Sequence, residues 1–180
     1  MEDFTRLGQI NQDNLKDLQE LAESYRRWMF DSNGYAPQRK EVHIRRFVKL
    51  PSPKYNNQPR IELISDVMGG RYIKNFEDIE RVETLGNRLL SGFHQGILMH
   101  YPEGSKMKRH RDHPIYAKGA AQVNIKGNAV LDVNGIKYEV KPGDCFRFNN
   151  SLPHSVKATS ERMCICFFYL KEKYLSEAYS

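Results

Sequence analysis

From Gly92 onward the chain is cut by turn signals into short apolar segments, and this segmentation limits the fold more than any other feature. GILMHY, AQVNIKG, AVLDVNG, IKYEVK, DCFRFNN, HSVKAT and MCICFFYL follow one another within about eighty residues. Asn134-Gly135 is a strong hairpin signal, and Pro142-Gly143-Asp144 marks a second turn. Strands this short and this closely spaced must pair and curl over one another to bury their apolar faces. The expectation is a jelly roll or barrel.

Helices precede these strands. Between Asn14 and Met29, Leu15, Leu18, Leu21, Ala22 and Tyr25 recur at helical spacing, with Asp13 or Asn14 as the N-cap. DSNGYAPQRK reads as a loop, Val42 to Leu50 as a strand, and PSPKYNNQPR as a polar excursion. RIELISDV reads as another strand or a short helix. A second amphipathic helix runs from Asn75 to Leu90, with Phe76, Ile79, Val82, Leu85 and Leu89 on one side. The expected class is mainly β with flanking helices (α+β). One domain fills residues 1–180, in which helices from about 1–91 pack outside a β core at about 92–170. A chain of 180 residues suits one such core.

Composition narrows the function classes. At 39% hydrophobic and 28% charged residues the chain is neither a disordered tail nor a membrane bundle. No apolar run approaches the ~20 residues that span a bilayer, so no membrane partner is expected. MEDFTRLGQINQDN lacks the basic-then-apolar build of a signal peptide. Three cysteines, Cys145, Cys164 and Cys166, sit in apolar surroundings and read as reduced, buried residues. A cytoplasmic location is expected. The charge of +6 favours anionic partners, nucleic acid among them.

Chemistry concentrates in YPEGSKMKRHRDH, residues 101–113. Alternation along a strand through Met107 to Asp112 sends His110 and Asp112 to one side and Arg111 to the other. His113, next to Asp112, faces away. His154, opening HSVKAT after a turn and a strand, is the best third ligand. Two histidines and one carboxylate on one face leave coordination positions open, the donor set of non-haem Fe(II) oxygenases. The open positions suit O₂ and a chelating 2-oxo acid, whose distal carboxylate needs a cation. Arg162, opening RMCICFFYL, is either a strand-end surface residue or that cation; Tyr101 offers a hydroxyl beside it.

The run Tyr101-x₂-Gly104-x₅-His110-x-Asp112, followed by Pro142-Gly143-Asp144, His154 and Arg162, resembles the Fe(II)/2-oxoglutarate-dependent oxygenase superfamily over about residues 92–170. The lead-in spacing is shared by AlkB-type and prolyl-hydroxylase-type members. The resemblance implies a double-stranded β-helix, iron held by His110, Asp112 and His154, and 2-oxoglutarate held by Arg162 with Tyr101. It also implies O₂ as co-reactant and ascorbate as an accessory reductant. The implied reaction hydroxylates a C–H bond while 2-oxoglutarate becomes succinate and CO₂; where the carbon sits on nitrogen, the product collapses to a demethylated amine and an aldehyde. The chain departs from the AlkB pattern, keeping only the first arginine of R-x-N-x-T-x-R and carrying Met99 where an asparagine is usual. It also has Arg162 where prolyl-hydroxylase-type members commonly use lysine.

Other readings stay open. Gln122 and Asn124 line either the pocket or a polar outer face. Arg147 competes for the carboxylate but should point outward between Phe146 and Phe148. Lys106, Lys108, Arg109 and Arg111 are either solvated or a phosphate-binding rim, favouring a nucleic-acid base as substrate; a protein side chain or a free amino acid is the alternative. A zinc site from Cys145, Cys164, Cys166 and His154 matches no familiar spacing. PGDCFRFNNSLPH also resembles the second half-motif of cupins, which would make the chain a non-catalytic metal- or ligand-binding barrel.

Overall fold

Alternation along the strands sorts the side chains into two apolar clusters, one between two sheets and one outside the larger sheet. In the strand RMCICFFYL, Cys164, Cys166, Phe168 and Leu170 join the inner cluster, while Met163, Ile165 and Phe167 join the outer one. A strand apolar on both faces must be covered on both, and all but one of its nine residues are buried.

The computed structural model describes residues 1–31, 38–45, 73 and 75–172, with backbone alone at Phe30 and Arg45. PSPKYNNQPR and RIELISDV lie outside the described residues. The strands are β1 (Phe4–Gln9), β2 (Phe30–Asp31), β3 (Lys40–Arg45), β4 (Gln95–Tyr101), β5 (Lys106–His110) and β6 (Tyr116–Lys126). They continue as β7 (Ala129–Val133), β8 (Ile136–Val140), β9 (Asp144–Phe148), β10 (His154–Ala158) and β11 (Arg162–Leu170). Seven form a sheet in the order β1-β9-β6-β11-β4-β3-β2, and four a second sheet in the order β5-β10-β7-β8. Every recorded strand pair is antiparallel. The two sheets enclose the inner cluster as a double-stranded β-helix.

Among the described residues, two helices cover the outer face. α1 (Gln12–Ser24) starts two residues earlier than its periodicity suggests, because Asn11, rather than Asp13 or Asn14, caps it by accepting the Asn14 N–H at 2.9 Å. It ends at Ser24 rather than Met29. There Tyr25 leaves the helix, its hydroxyl bonds Asp78 at 2.5 Å, and a 3₁₀ turn over Arg26–Trp28 follows. α2 (Phe76–Leu89) lies where the sequence puts it, capped by Asn75. It seats on β11 at Gly86, where a Cβ would come within 2.4 Å of Phe93 and 2.6 Å of Phe167. Only a glycine allows that approach.

Among the described residues, the N-terminal half also supplies strands to the large sheet. β1 pairs with β9 at one edge of the large sheet, and β2 and β3 form the other. β1 escapes the sequence reading because it is a half-buried edge strand with no fully buried residue. Among the described residues, no helix is long and apolar enough to cross a membrane.

Candidate metal centre

The small sheet brings two distant histidines together. His154 opens β10 and His110 closes β5, and the two are register partners. Their ring centroids lie 4.4 Å apart, and Phe148 meets the His154 ring edge-to-face at 5.2 Å. Each imidazole is turned by a backbone carbonyl two residues upstream: Nδ1 bonds Lys108 O at 2.6 Å in His110 and Leu152 O at 2.8 Å in His154. A carbonyl can only accept, so each Nδ1 carries a proton and each Nε2 is the atom presented inward.

Asp112 completes the group by a route other than strand alternation. β5 stops at His110, and the following loop is held where Asp112 N–H meets Asn150 O at 3.3 Å. Asn150 is fixed in turn: its side-chain oxygen accepts the Gly119 N–H at 2.7 Å, and its amide donates to Ala117 O at 3.4 Å. The loop places Asp112 Oδ1 3.4 Å from His110 Nε2 and 3.0 Å from His154 Nε2. One ligand atom from each of the three lies within 4.8 Å of the others. Asp112 Oδ2 is buried with no hydrogen-bond partner. His113 stays outside, exposed, its Nδ1 accepting the Ile115 N–H at 3.2 Å.

Burial alone would push the Asp112 carboxyl up, but hydrogen bonds from His110 and His154 outweigh it and hold it at about 2. Burial likewise works against a charged His154, and the Asp112 carboxylate outweighs it, raising the imidazole above its ordinary value. Two inward nitrogens, a carboxylate oxygen and a second, unpartnered carboxylate oxygen are a donor set that fits a divalent cation.

Arg162 opens β11 on the inner face, fully buried. Its Nε donates to Asn124 Oδ1 at 2.6 Å and its Nη2 to Gln122 Oε1. This places Gln122 and Asn124 inside the barrel rather than on its outer face. Nη1 is buried with no partner, and no ion pair to Arg162 exists among the described residues. An orphaned donor on a buried cation is costly unless a ligand meets it. Tyr101 is its register partner on β4, the guanidinium lying 5.3 Å from the phenol ring centroid.

The remaining candidates separate. Arg147 turns outward and donates to Leu89 O at 2.6 Å. Cys164 and Cys166 join the inner cluster whereas Cys145 joins the outer one, so the three thiols do not converge. His100 also faces outward, bonding Glu161 at 3.0 Å. Lys106, Lys108, Arg109 and Arg111 are exposed; Arg109 pairs with Asp132 at 3.5 Å and Arg111 donates to Ser151 O.

Sequence reasoning missed a buried polar row that starts just before β3 and runs along it. Arg39, Glu41 and His43 face inward, with Arg39 3.6 Å and His43 2.7 Å from Glu41 oxygens. Gln95 continues the row, 3.3 Å from His43 and accepting the Tyr116 hydroxyl at 2.7 Å. A strand whose inner face is polar reverses the usual pattern, so periodicity carried no signal for it.

The cupin-domain family model Cupin_2 matches residues 97–169. A cupin superfamily protein from Desulfitobacterium hafniense aligns over 43% of this chain and 67% of its own at 14% identity, with a TM-score of 0.39. No curated protein matches the chain. A prolyl-4-hydroxylase from Pseudomonas putida superposes over 95% of this chain and 94% of its own at 14% identity, with a TM-score of 0.57. A prolyl hydroxylase from Trichoplax adhaerens, solved with a peptide fragment of the hypoxia inducible factor oxygen degradation domain, covers 97% of this chain and 86% of its own. Its identity is 14% and its TM-score 0.58. The chain is thus similar to both hydroxylases in the double-stranded β-helix fold.

Proposed function

We propose that the chain is an Fe(II)- and 2-oxoglutarate-dependent dioxygenase that hydroxylates, or oxidatively demethylates, a substrate C–H bond. The observation that carries the reading is Arg162. A fully buried guanidinium with an unpartnered Nη1 shares the barrel interior with a two-histidine, one-carboxylate cluster. A metal-binding barrel alone has no use for that cation; a dicarboxylate cosubstrate does.

His110, Asp112 and His154 would hold Fe(II), leaving one side of the ion open. Arg162 and the Tyr101 hydroxyl would hold the distal carboxylate of 2-oxoglutarate. Bound together, iron and 2-oxoglutarate supply oxidation of a C–H bond by O₂, with one oxygen atom going to the alcohol and one to succinate, and with CO₂ released. The chain's own part is positioning. The Lys108 and Leu152 carbonyls aim the imidazoles, and Asn150 aims the Asp112 loop. Gln122 and Asn124 fix the Arg162 fork. Phe146, Phe148 and Phe168 wall the interior with apolar surface and keep water away from the reacting centre.

For the primary substrate, similarity to two prolyl hydroxylases, one of them solved with a peptide, supports a protein side chain. The exposed basic residues near the triad support a nucleic-acid base less strongly, since two of them are already engaged. A second reading, a non-catalytic cupin that binds metal or a small ligand, is supported by the family match over residues 97–169. Succinate formation with Fe(II), ascorbate, O₂ and 2-oxoglutarate tests the two, with peptides, methylated oligonucleotides and free amino acids added in turn. The dioxygenase reading predicts succinate in the wild type, none in Asp112→Ala, and stimulation by the true substrate class. Tight metal binding with no succinate under any addition would favour the cupin.

A further inference from the structure

The inner face of the large sheet holds a second buried arginine that neither the triad nor Arg162 explains. Arg39 is 8% exposed and lies just before β3. Its Nη1 is 3.4 Å from the Tyr101 oxygen and 3.3 and 3.5 Å from the sulfurs of Met99 and Met107. The Arg39 guanidinium stands 5.8 Å from the Tyr101 ring centroid, and that of Arg162 stands 5.3 Å from it. β4 runs between β3 and β11, so the two cations reach one phenol from opposite flanks.

Such a pair is electrostatically costly. Thioether sulfurs are weak acceptors, and two guanidiniums around a neutral ring repel in a dry interior. Glu41 offsets Arg39 at 3.6 Å but also holds His43 at 2.7 Å. Nothing anionic among the described residues offsets Arg162. An anionic group at the Tyr101 hydroxyl would meet the unpartnered Arg162 Nη1 and lie within reach of the Arg39 Nη1.

The geometry points to Arg39 as a second guanidinium for the distal carboxylate of the 2-oxo acid, an inference that rests on the 2-oxoglutarate reading above. The carboxylate would sit at the Tyr101 hydroxyl with Arg162 Nη1 on one flank and Arg39 Nη1 on the other. Glu41 acts as a positioning residue that keeps Arg39 turned inward. The pocket then selects a dicarboxylic 2-oxo acid over its monocarboxylic analogue more strongly than one arginine would.

Calorimetric titration of Mn(II)-loaded protein with 2-oxoglutarate, and with 2-oxovalerate, which has the same chain length but no distal carboxylate, tests this. The expected result for Arg39→Gln is a roughly tenfold to hundredfold loss of 2-oxoglutarate affinity, with 2-oxovalerate and Mn(II) affinities unchanged. An equal loss for both acids, or none for either, overturns the assignment while leaving Arg162 in place. A wild type that binds 2-oxoglutarate no better than 2-oxovalerate removes the cosubstrate reading itself, and Arg39 with it. Should Arg39→Gln fail to fold, Arg39→Lys carries the comparison: an intermediate loss confined to 2-oxoglutarate supports the role, and undiminished affinity overturns it.

Discussion

His110 and His154 sit opposite each other in register across β5 and β10, so hydrogen-bonded sheet, not local sequence, sets the distance between them. The register therefore sets the spacing without help from an ion, and a metal bound there should stabilise the native state without reorganising it. Mn(II) at a hundredfold its Kd should add about 2.7 kcal/mol and raise Tm by roughly 5–10 °C. Asp112→Ala should erase the shift. Thermal unfolding with and without metal measures both, and a shift that survives in Asp112→Ala would place the metal elsewhere.

Asn150 holds the loop that carries Asp112, through its carbonyl at Asp112 N–H and its side chain at Gly119 and Ala117. Groups that orient a ligand matter nearly as much as the ligand. Asn150→Ala should lower Mn(II) affinity about tenfold to a hundredfold, read by metal titration, with the histidine pair intact. Unchanged affinity would show that the loop holds itself.

These positions also mark where the sequence was legible and where it was not. Arg162, Cys164 and Cys166 alternate on an otherwise apolar strand, so their shared face could be read. The sequence alone left Arg162 open between a strand-end surface residue and an inward cation. His110, Asp112 and His154 could be picked out, but for Asp112 the stated cause was wrong: it arrives on a loop pinned by a residue from another segment. Arg39, Glu41 and His43 were invisible because patterning assumes that polar residues face water, whereas β3 turns them inward onto one another. β1 was invisible for a different reason, being an edge strand with too little burial to leave an alternation.

Gly127 adopts φ +72°, and a Cβ there would lie 1.8 Å from the Glu161 carbonyl oxygen. Its own carbonyl accepts the Asn124 amide at 2.6 Å, and Asn124 accepts from Arg162. Gly127→Ala should cost at least about 2 kcal/mol in urea unfolding and also weaken 2-oxoglutarate binding. A neutral substitution would contradict the close approach.

On the outer face, hydrogen bonds from Arg26 and His100 hold the Glu161 carboxyl down at about 2, against an ordinary 4.5. The folded value lies below the unfolded one, so this stabilisation is complete above about pH 4.5 and lost as the pH falls toward 2. Glu161 is 41% exposed, so solvent screening keeps its worth within about 1 kcal/mol. Glu161→Gln should show that deficit at pH 7 in urea unfolding, shrinking by roughly half at pH 3. A deficit equal at both values would remove the ion pair as its cause.

The most direct measurement is an anomalous-scattering map of a crystal soaked in Mn(II). The account predicts one dominant peak within bonding distance of both inward imidazole nitrogens and the Asp112 carboxylate, open on the side facing Arg162. Saturating metal with no peak between those three groups, or with its main peak on the outer face, would contradict it.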